Sequence, residues 1–424
     1  MDTRYFRAAA AVLGAIGGVW MMLGMSVSPA RAWTDNDPAG INSCDSPVVN
    51  DAATVAGNCL DTNDTDRAFV RLASASSSTF LAALPSTVGG TPCNATGINN
   101  AAAGSENIIG WCADGNSVIQ GVFWNSATPA TAPTLLRPLS LLGLLANVQT
   151  GATKVNLAGV IIGVSIDGEG TRTPVSWSAS GAPTELAPPL LAVNADCTPV
   201  DINDARTPSI IGNCDDSGNG GGNRAVLWQG TGAAYTSLPV PIGADYCEVT
   251  RVNLAGQILG QCIYPGDVYR VAVWGAGGSA AVVLMTVGSA AAPQTFPAGI
   301  NDSGMVACNY MVETESPTLV APCLWTPTGG NTAATAITSP GGAATPAIAL
   351  SIGNNGKIAG IYVTATLAIH PFHVESGSTT AVDDGSPDGG PNTTLTAMSR
   401  GGLFVVAEAT DATLLNHAFG LAVP

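Results

Sequence analysis

The chain has 424 residues, with 14 Lys and Arg against 30 Asp and Glu and a net charge of −16. So acidic a chain is a poor match for nucleic acid, whose affinity rests on neutralised phosphates, and for anionic membrane surfaces. Charged residues are only 10% of the total while 46% are apolar, enough to bury a large core, so the composition argues against disorder.

Residues 1–32 read as a secretory signal peptide: Arg4 and Arg7, an apolar run from Ala8 to Val27, then Ala30-Arg31-Ala32 as an A-x-A cleavage site before Trp33. An uncleaved anchor is the alternative, since the run is about long enough to span a bilayer. Cleavage leaves 11 of the basic and 29 of the acidic residues, a net charge of −18. No later stretch is long and apolar enough to cross a membrane, so no insertion is expected after cleavage.

From there on one pattern recurs. An N-x-x-G turn, intact or worn, has its first position at Asn50, Asn99, Asn156, Asn203, Asn253, Asn301, Gly353 and Ser399, about 50 residues apart. Asn and Gly suit such a turn because both tolerate left-handed backbone. A second element follows each turn, ending at Arg71, Trp124, Trp177, Trp228, Trp274, Trp325, Val374 and Leu421. Each unit reads as four short strands: one into the turn, one out of it as in QILGQC, the tryptophan element third, and a fourth after a Gly-containing turn. Four strands in about 50 residues define an all-β fold, a β-propeller, with eight units implying eight blades; seven blades and one irregular unit is the alternative. The last unit runs out after its third strand, so residues 33–43 are expected to supply its fourth.

The cysteines follow the same phase. With a two-residue loop at Leu254-Ala255, Cys247 faces Cys262 across the hairpin, and Cys44 faces Cys59 in the same register. Cys93 with Cys112 and Cys197 with Cys214 begin six residues before their phase Asn, with longer loops. Cys308 and Cys323 would join the second and third strands of their unit. Five local disulfides imply an oxidising compartment; a metal reading lacks both a CxxC and a nearby His.

The elements Arg67-Ala68-Phe69, His370-Pro371-Phe372 and His417-Ala418-Phe419, with Gly97-Ile98-Asn99 and Gly299-Ile300-Asn301-Asp302-Ser303-Gly304, resemble the HAF repeats of bacterial extracellular proteins. Only one unit spells H-A-F in full. The resemblance implies a secreted propeller-type repeat protein and carries over no catalytic residue.

The strand order puts the 1–2 and 3–4 turns on one face and the 2–3 and 4–1 connections on the other. The 2–3 loops hold Asp61, Asp64, Asp66, Asp114, Asp167, Glu169, Asp215, Asp216, Asp267, Glu313, Glu315, Glu408 and Asp411, so that face should be strongly negative. It either captures a cation or partner or keeps the protein soluble. Calcium is the cation to consider: DTNDTD, with Asp61, Asp64 and Asp66, and DDGSPDGG, with Asp383, Asp384 and Asp388, are similar to calcium loops but lack the turn Gly or terminal Glu of an EF-hand. A basic residue recurs four positions before the tryptophan phase at Arg67, Arg224, Arg270, His370 and His417, placed to pair with neighbouring acids or to ring an anion. His370 and His373 flank Pro-Phe in an extended segment and should point to opposite sides. The phase tryptophans are expected between stacked sheets, leaving Trp111, off the phase, for ligand stacking.

Neither a G-x-S-x-G elbow nor an HExxH is present. The leading reading is a non-catalytic binding scaffold outside the cytoplasm, offering its acidic loop face to an extracellular protein or glycan. The runner-up is an enzyme acting on extracellular carbohydrate, with carboxylates assembled across blades near the axis.

Overall fold

The computed structural model describes residues 33–85, 92–141, 145–146, 149–187, 196–215, 223–232, 234–288, 290–291, 294–312, 319–387, 392–411 and 415–423. The expected signal segment, Asp216, Glu313, Glu315 and Asp388 lie outside them. Among the described residues antiparallel strands follow the eight sequence units, five as separate four-stranded sheets and three as parts of a six-stranded and an eight-stranded sheet. Unit 5 shows why. Tyr246–Val252, Ile258–Tyr264 and Val268–Trp274 are rich in β-branched and aromatic residues, broken by Gly256 and Gly266 at positive φ, and Ala281–Val283 forms the short outer edge. Units 1–4, 6 and 7 repeat this plan, and the one helical element among the described residues is a 3-10 turn at Thr328–Gly330. The fold is a β-propeller.

Both faces of each unit are covered by its neighbours. Trp274, Val249 and Ile258 of unit 5 pack on Ile211, Leu227 and Leu238 of unit 4. Equivalent cores lie between every consecutive pair, and the last wraps Val406 and Ala418 of unit 8 onto Val55 and Phe69 of unit 1. The five phase tryptophans are at most 2% exposed, as a sheet-stacking role requires. Each is worth about 3 kcal/mol of apolar burial. Their indole N–H groups also need acceptors, and four find them one unit back: Trp124 donates to Ala82, Trp177 to Arg137, Trp228 to Ala187 and Trp274 to Pro239.

All ten cysteines pair as the repeat register predicts: Cys44–Cys59, Cys93–Cys112, Cys197–Cys214, Cys247–Cys262 and Cys308–Cys323. Their Cα atoms are 4.0–4.8 Å apart. A loop of about 15 residues closed this way is worth roughly 3 kcal/mol in the chain-entropy model. Five disulfides place the folded chain in an oxidising environment. The expected two-residue loop is corrected. Gly256 N donates to Asn253 O and Asn253 N to Gln257 O, so the turn is longer, and a bulge between Val249 and Arg251 absorbs the extra residue before Cys247 meets Cys262.

The ring closes with the N-terminal strand. Thr34–Asp35 lies against Asn416–Ala422, pairing Thr34 with Gly420 and Asp35 with Phe419, the fourth strand expected from residues 33–43. Just beyond, Asp37 Oδ1 accepts from Ala418 N at 2.9 Å, and His417 lies between Asp37 at 2.6 Å and Asp411 at 3.3 Å. Burial disfavours the charged His417, but the two carboxylates outweigh it and raise its pKa above 6.5. A histidine with a raised folded pKa stabilises while charged, so its contribution is whole below pH 6.5 and fades as pH climbs through the raised value. Burial also raises Asp37, which acts in the same direction at acidic pH. Going from pH 6 to pH 9 should therefore loosen the closing strand by about 1 kcal/mol. Faster amide exchange in residues 34–37 and 416–422 at pH 9, after correction for intrinsic rates, checks this; His417→Gln should abolish the difference.

Candidate functional site

The 1–2 turns form a continuous hydrogen-bonded ring about the axis. Asn50 Nδ2 donates to the carbonyl of Asn99, Asn99 to Asn156, Asn156 to Asn203, Asn203 to Asn253, Asn253 to Asn301 and Asn301 to Gly353, at 2.9–3.2 Å. Each Oδ1 meanwhile accepts a backbone N–H of its own turn, as Asn253 does from Gln257 at 2.8 Å. This corrects the expectation that Asn is there for left-handed backbone. The positive φ belongs to Gly159, Gly256, Gly304, Gly356 and Gly402, while the asparagines are buried for their amides. Units 7 and 8 lack the Asn: Asn354 N and Asn355 N donate to Arg400 O and Gly401 O and Asn355 Nδ2 to Gly402 O, and Gly401 N then donates to Asp51 of unit 1.

The residues after the phase positions form a second set of links between neighbouring units. Asp51 and Asn100 exchange hydrogen bonds, as do Asp302 and Asn354, while Asp204 accepts from Leu157 N and Asp302 from Leu254 N. Arg400, from unit 8, holds Asp204 of unit 4 with Nη1 and Asp302 of unit 6 at 2.9 Å with Nη2. Units half a ring apart can share one guanidinium only if it sits at the axis. Burial opposes the charged forms, but the pairing wins: Asp302 is held below 3.8 and Arg400 is raised further. Gly401 N, next to Arg400, donates to Asp51.

One layer deeper, bulges in the first strands of units 3, 4 and 5 set Lys154, Asp201 and Arg251 at equivalent positions. Arg251 depresses the Lys154 ammonium, desolvation adds to that, and Asp201 opposes both. Asp201 also acts on Arg400 and accepts from Val252 N at 2.9 Å, so it links the layers. The carboxylates Asp51, Asp201, Asp204 and Asp302 are thus all engaged in holding neighbouring units. None of this axial cluster was singled out by its sequence chemistry. The available signal was the column after the phase residue, polar in units 1, 2, 4, 6 and 7 and cationic only at Arg400.

The acidic 2–3 loops have a local cause. Asp61 Oδ1 accepts from Asn63 N and Thr65 N, Asp114 from Asn116 N and Val118 N, and Asp167 from Glu169 N and Thr171 N. These are Asx turns, in which the carboxylate organises the hairpin. Those N–H groups lower the Asp61 pKa. Asp61, Asp64 and Asp66 go separate ways: Asp64 accepts from Asn42, and Asp66 faces Asp45 at the seam of units 8 and 1, where burial and its charge raise Asp45. Glu408, in the second strand of unit 8, is raised by burial and Asp45 at the same seam. Asp383 pairs with His370 at 3.3 Å and Asp384 with His373 at 2.8 Å, so the two histidines do serve different partners. Among the described residues no three of His, Cys, Asp and Glu gather as a metal-holding group. Trp111 is half-buried in a second strand, between Asn94 and Gly121 in register.

Fold and site together define a disulfide-rich β-propeller whose axis is bridged by an ion cluster at the 1–2 turn face. No family model matches the chain, and no curated protein does. Among solved structures it is similar to oligopeptidase B from Leishmania major, at TM-score 0.51 and 9% identity over 88% of this chain and 54% of that one. It is also similar to a puromycin hydrolase mutant complexed with PGG, at TM-score 0.50 and 13% identity over 93% and 61%. The β-propeller domain of the Trilobed protease from Pyrococcus furiosus aligns at TM-score 0.47 and 11% identity, over 82% and 99%. The first two likenesses speak to fold alone, and the chain spans less than two thirds of either of those proteins.

Proposed function

We propose that the protein is exported by residues 1–32 and works outside the cytoplasm as an eight-bladed, HAF-type, non-catalytic binding scaffold. The observation that carries the reading is the axial cluster: Arg400 of unit 8 reaches across the axis to carboxylates of units 4 and 6, where a propeller enzyme would be expected to present free catalytic groups. The five disulfides suit an extracellular setting. The face left to bind is the rim of 2–3 and 4–1 loops, where Asx turns hold Asp114 and Asp167 in fixed positions, and its partner is a cationic extracellular protein or glycan, with calcium as a competing small cation.

A titration of the mature protein with a lysine-rich peptide tests this. Saturable binding should weaken about fivefold at low salt in the triple variant Asp61→Asn, Asp114→Asn, Asp167→Asn, since Asn keeps the turn acceptor and loses the charge. A calcium-dependent rise in unfolding midpoint at fixed ionic strength would place the ion on the folded state. Equal binding by the variant, or none by the wild type, would sink the loop-face reading, and turnover of aryl glycosides would replace it with the carbohydrate-enzyme reading.

A further inference from the structure

The basic residues that open the third strands are all engaged, but Arg270 is held differently from the rest. Arg67 is 3.6 Å from Asp61 and lies over the Phe80 ring, His370 meets Asp383, and His417 lies between Asp37 and Asp411. Arg224 is engaged as well. Arg270, in the third strand of unit 5, has no carboxylate within ion-pair reach among the described residues, in a chain with 30 acidic and 14 basic residues. Its guanidinium lies 5.2 Å from the Tyr264 ring centroid, and its Nη1 is 2.8 Å from Met285 Sδ, a weak acceptor. Its Nε is buried and has no hydrogen-bond partner. A buried, orphaned donor on a permanent cation is costly unless something completes it.

That arginine lines an open cleft of about 430 Å³ on the outer rim of unit 5. The other walls are mostly apolar, with Pro241 and Ile242 from the connection out of unit 4, Val283 from the outer strand and Met285 beyond it, and Thr332 adds a hydroxyl. Ile242 is fully exposed and Met285 42% exposed, beside Val240 at 48%, so an apolar patch surrounds the lone cation. Burial raises the Tyr264 phenol despite the opposing charge of Arg270. The volume falls within the range of small-molecule sites, which pair an apolar lining with few polar anchors.

We propose that this cleft binds a small amphipathic carboxylate, its charge on Arg270 and its hydrocarbon chain along Ile242, Val283 and Met285. A carboxylate supplies what Met285 sulfur cannot, a charge-assisted acceptor for the guanidinium. The chain gains about 25 cal/mol for each Å² of apolar surface it covers. The cleft lies at the edge of the 2–3 and 4–1 loop face, between the connection out of unit 4 and the second and third strands of unit 5. It is tested with anionic and neutral probes that a cation-binding acidic face would not take up.

Calorimetric titration of the mature protein with octanoate, octanol and acetate tests it. Octanoate should bind saturably and about tenfold more tightly than either octanol, which lacks the charge, or acetate, which lacks the chain. Arg270→Met should bring octanoate down to the octanol level. Ile242→Ser, at a fully exposed position that cannot endanger the fold, should weaken octanoate and octanol alike. The proposal is overturned if octanoate gives no saturable heat, if octanol or acetate matches it, or if neither substitution changes its affinity.

Discussion

Arg400→Met should lower the unfolding free energy by about 3 kcal/mol and reverse the acid dependence of stability. The first part follows from removing one partner of a partly buried network, which leaves Asp204 and Asp302 facing Asp201 without their cation. The second follows from sign. In the wild type, burial works to raise Asp302, but Arg400, Leu254 N and Asn354 together hold it below 3.8. A carboxylate with a depressed folded pKa contributes stability above its unfolded value and loses it as pH falls through the folded one. Without Arg400 burial and mutual repulsion dominate, the carboxylates take up protons more readily folded than unfolded, and the variant becomes more stable at pH 5 than at pH 8. Urea midpoints at the two pH values decide it. Arg400→Lys should recover only part of the loss, because an ammonium cannot fork between two carboxylates as a guanidinium does. A variant with the wild-type midpoint and slope would mean that the axial cluster is a surface ornament.

What could be read in advance, and what could not, divides along a physical line. The disulfides were legible because strand side chains alternate with period two, so a shared offset from the turn puts Cys44, Cys93, Cys197 and Cys247 opposite their partners whatever happens inside the loop. The bulge at Thr250 was invisible for the same reason: it adds a residue on one strand while the longer turn removes one pair, and the sum at the cysteines is unchanged. The asparagines were located correctly but given the wrong task, since a turn preference is local and the donation from Asn253 to Asn301 exists only once units stack. The axial cluster is the extreme case. Arg400 and Asp204 are 196 residues apart, and only closure of the ring brings them together. Of the acids expected in the 2–3 loops, Glu408 and Asp215 lie in second strands and Asp66 opens a third strand, and composition could not show that Asp61, Asp114 and Asp167 are turn-formers first.

Gly260→Ala should be among the most damaging single-methyl additions to the chain, at about 3 kcal/mol. Gly260 is the third residue of its strand and has no left-handed backbone to explain it. What it has is the bulge opposite: a Cβ there would stand 2.1 Å from Glu248 O and 3.0 Å from the Trp274 ring. The same column holds Gly110, Gly163 and Gly360, whose added Cβ would meet Asn94 O at 1.9 Å, Gly151 O at 2.0 Å and Ile348 O at 2.2 Å. The bulge that turns Lys154 and Arg251 toward the axis therefore pushes a backbone carbonyl into the next strand, and glycine is the residue that leaves room. Units 6 and 8 carry Cys308 and Ala407 at this register, so the contact can be relieved by moving the strands; in unit 5 the Cys247–Cys262 bridge and the packed Trp274 resist that movement. Gly277→Ala is the control. Gly277 has φ +72° with nothing within 4 Å of an added Cβ, so alanine there costs only the left-handed penalty of about 1 kcal/mol. Denaturant midpoints for the pair separate the two causes. If Gly277→Ala proved as harmful as Gly260→Ala, the cost of glycine loss would lie in backbone conformation, and the coupling between bulge, carbonyl and axis would have to be abandoned.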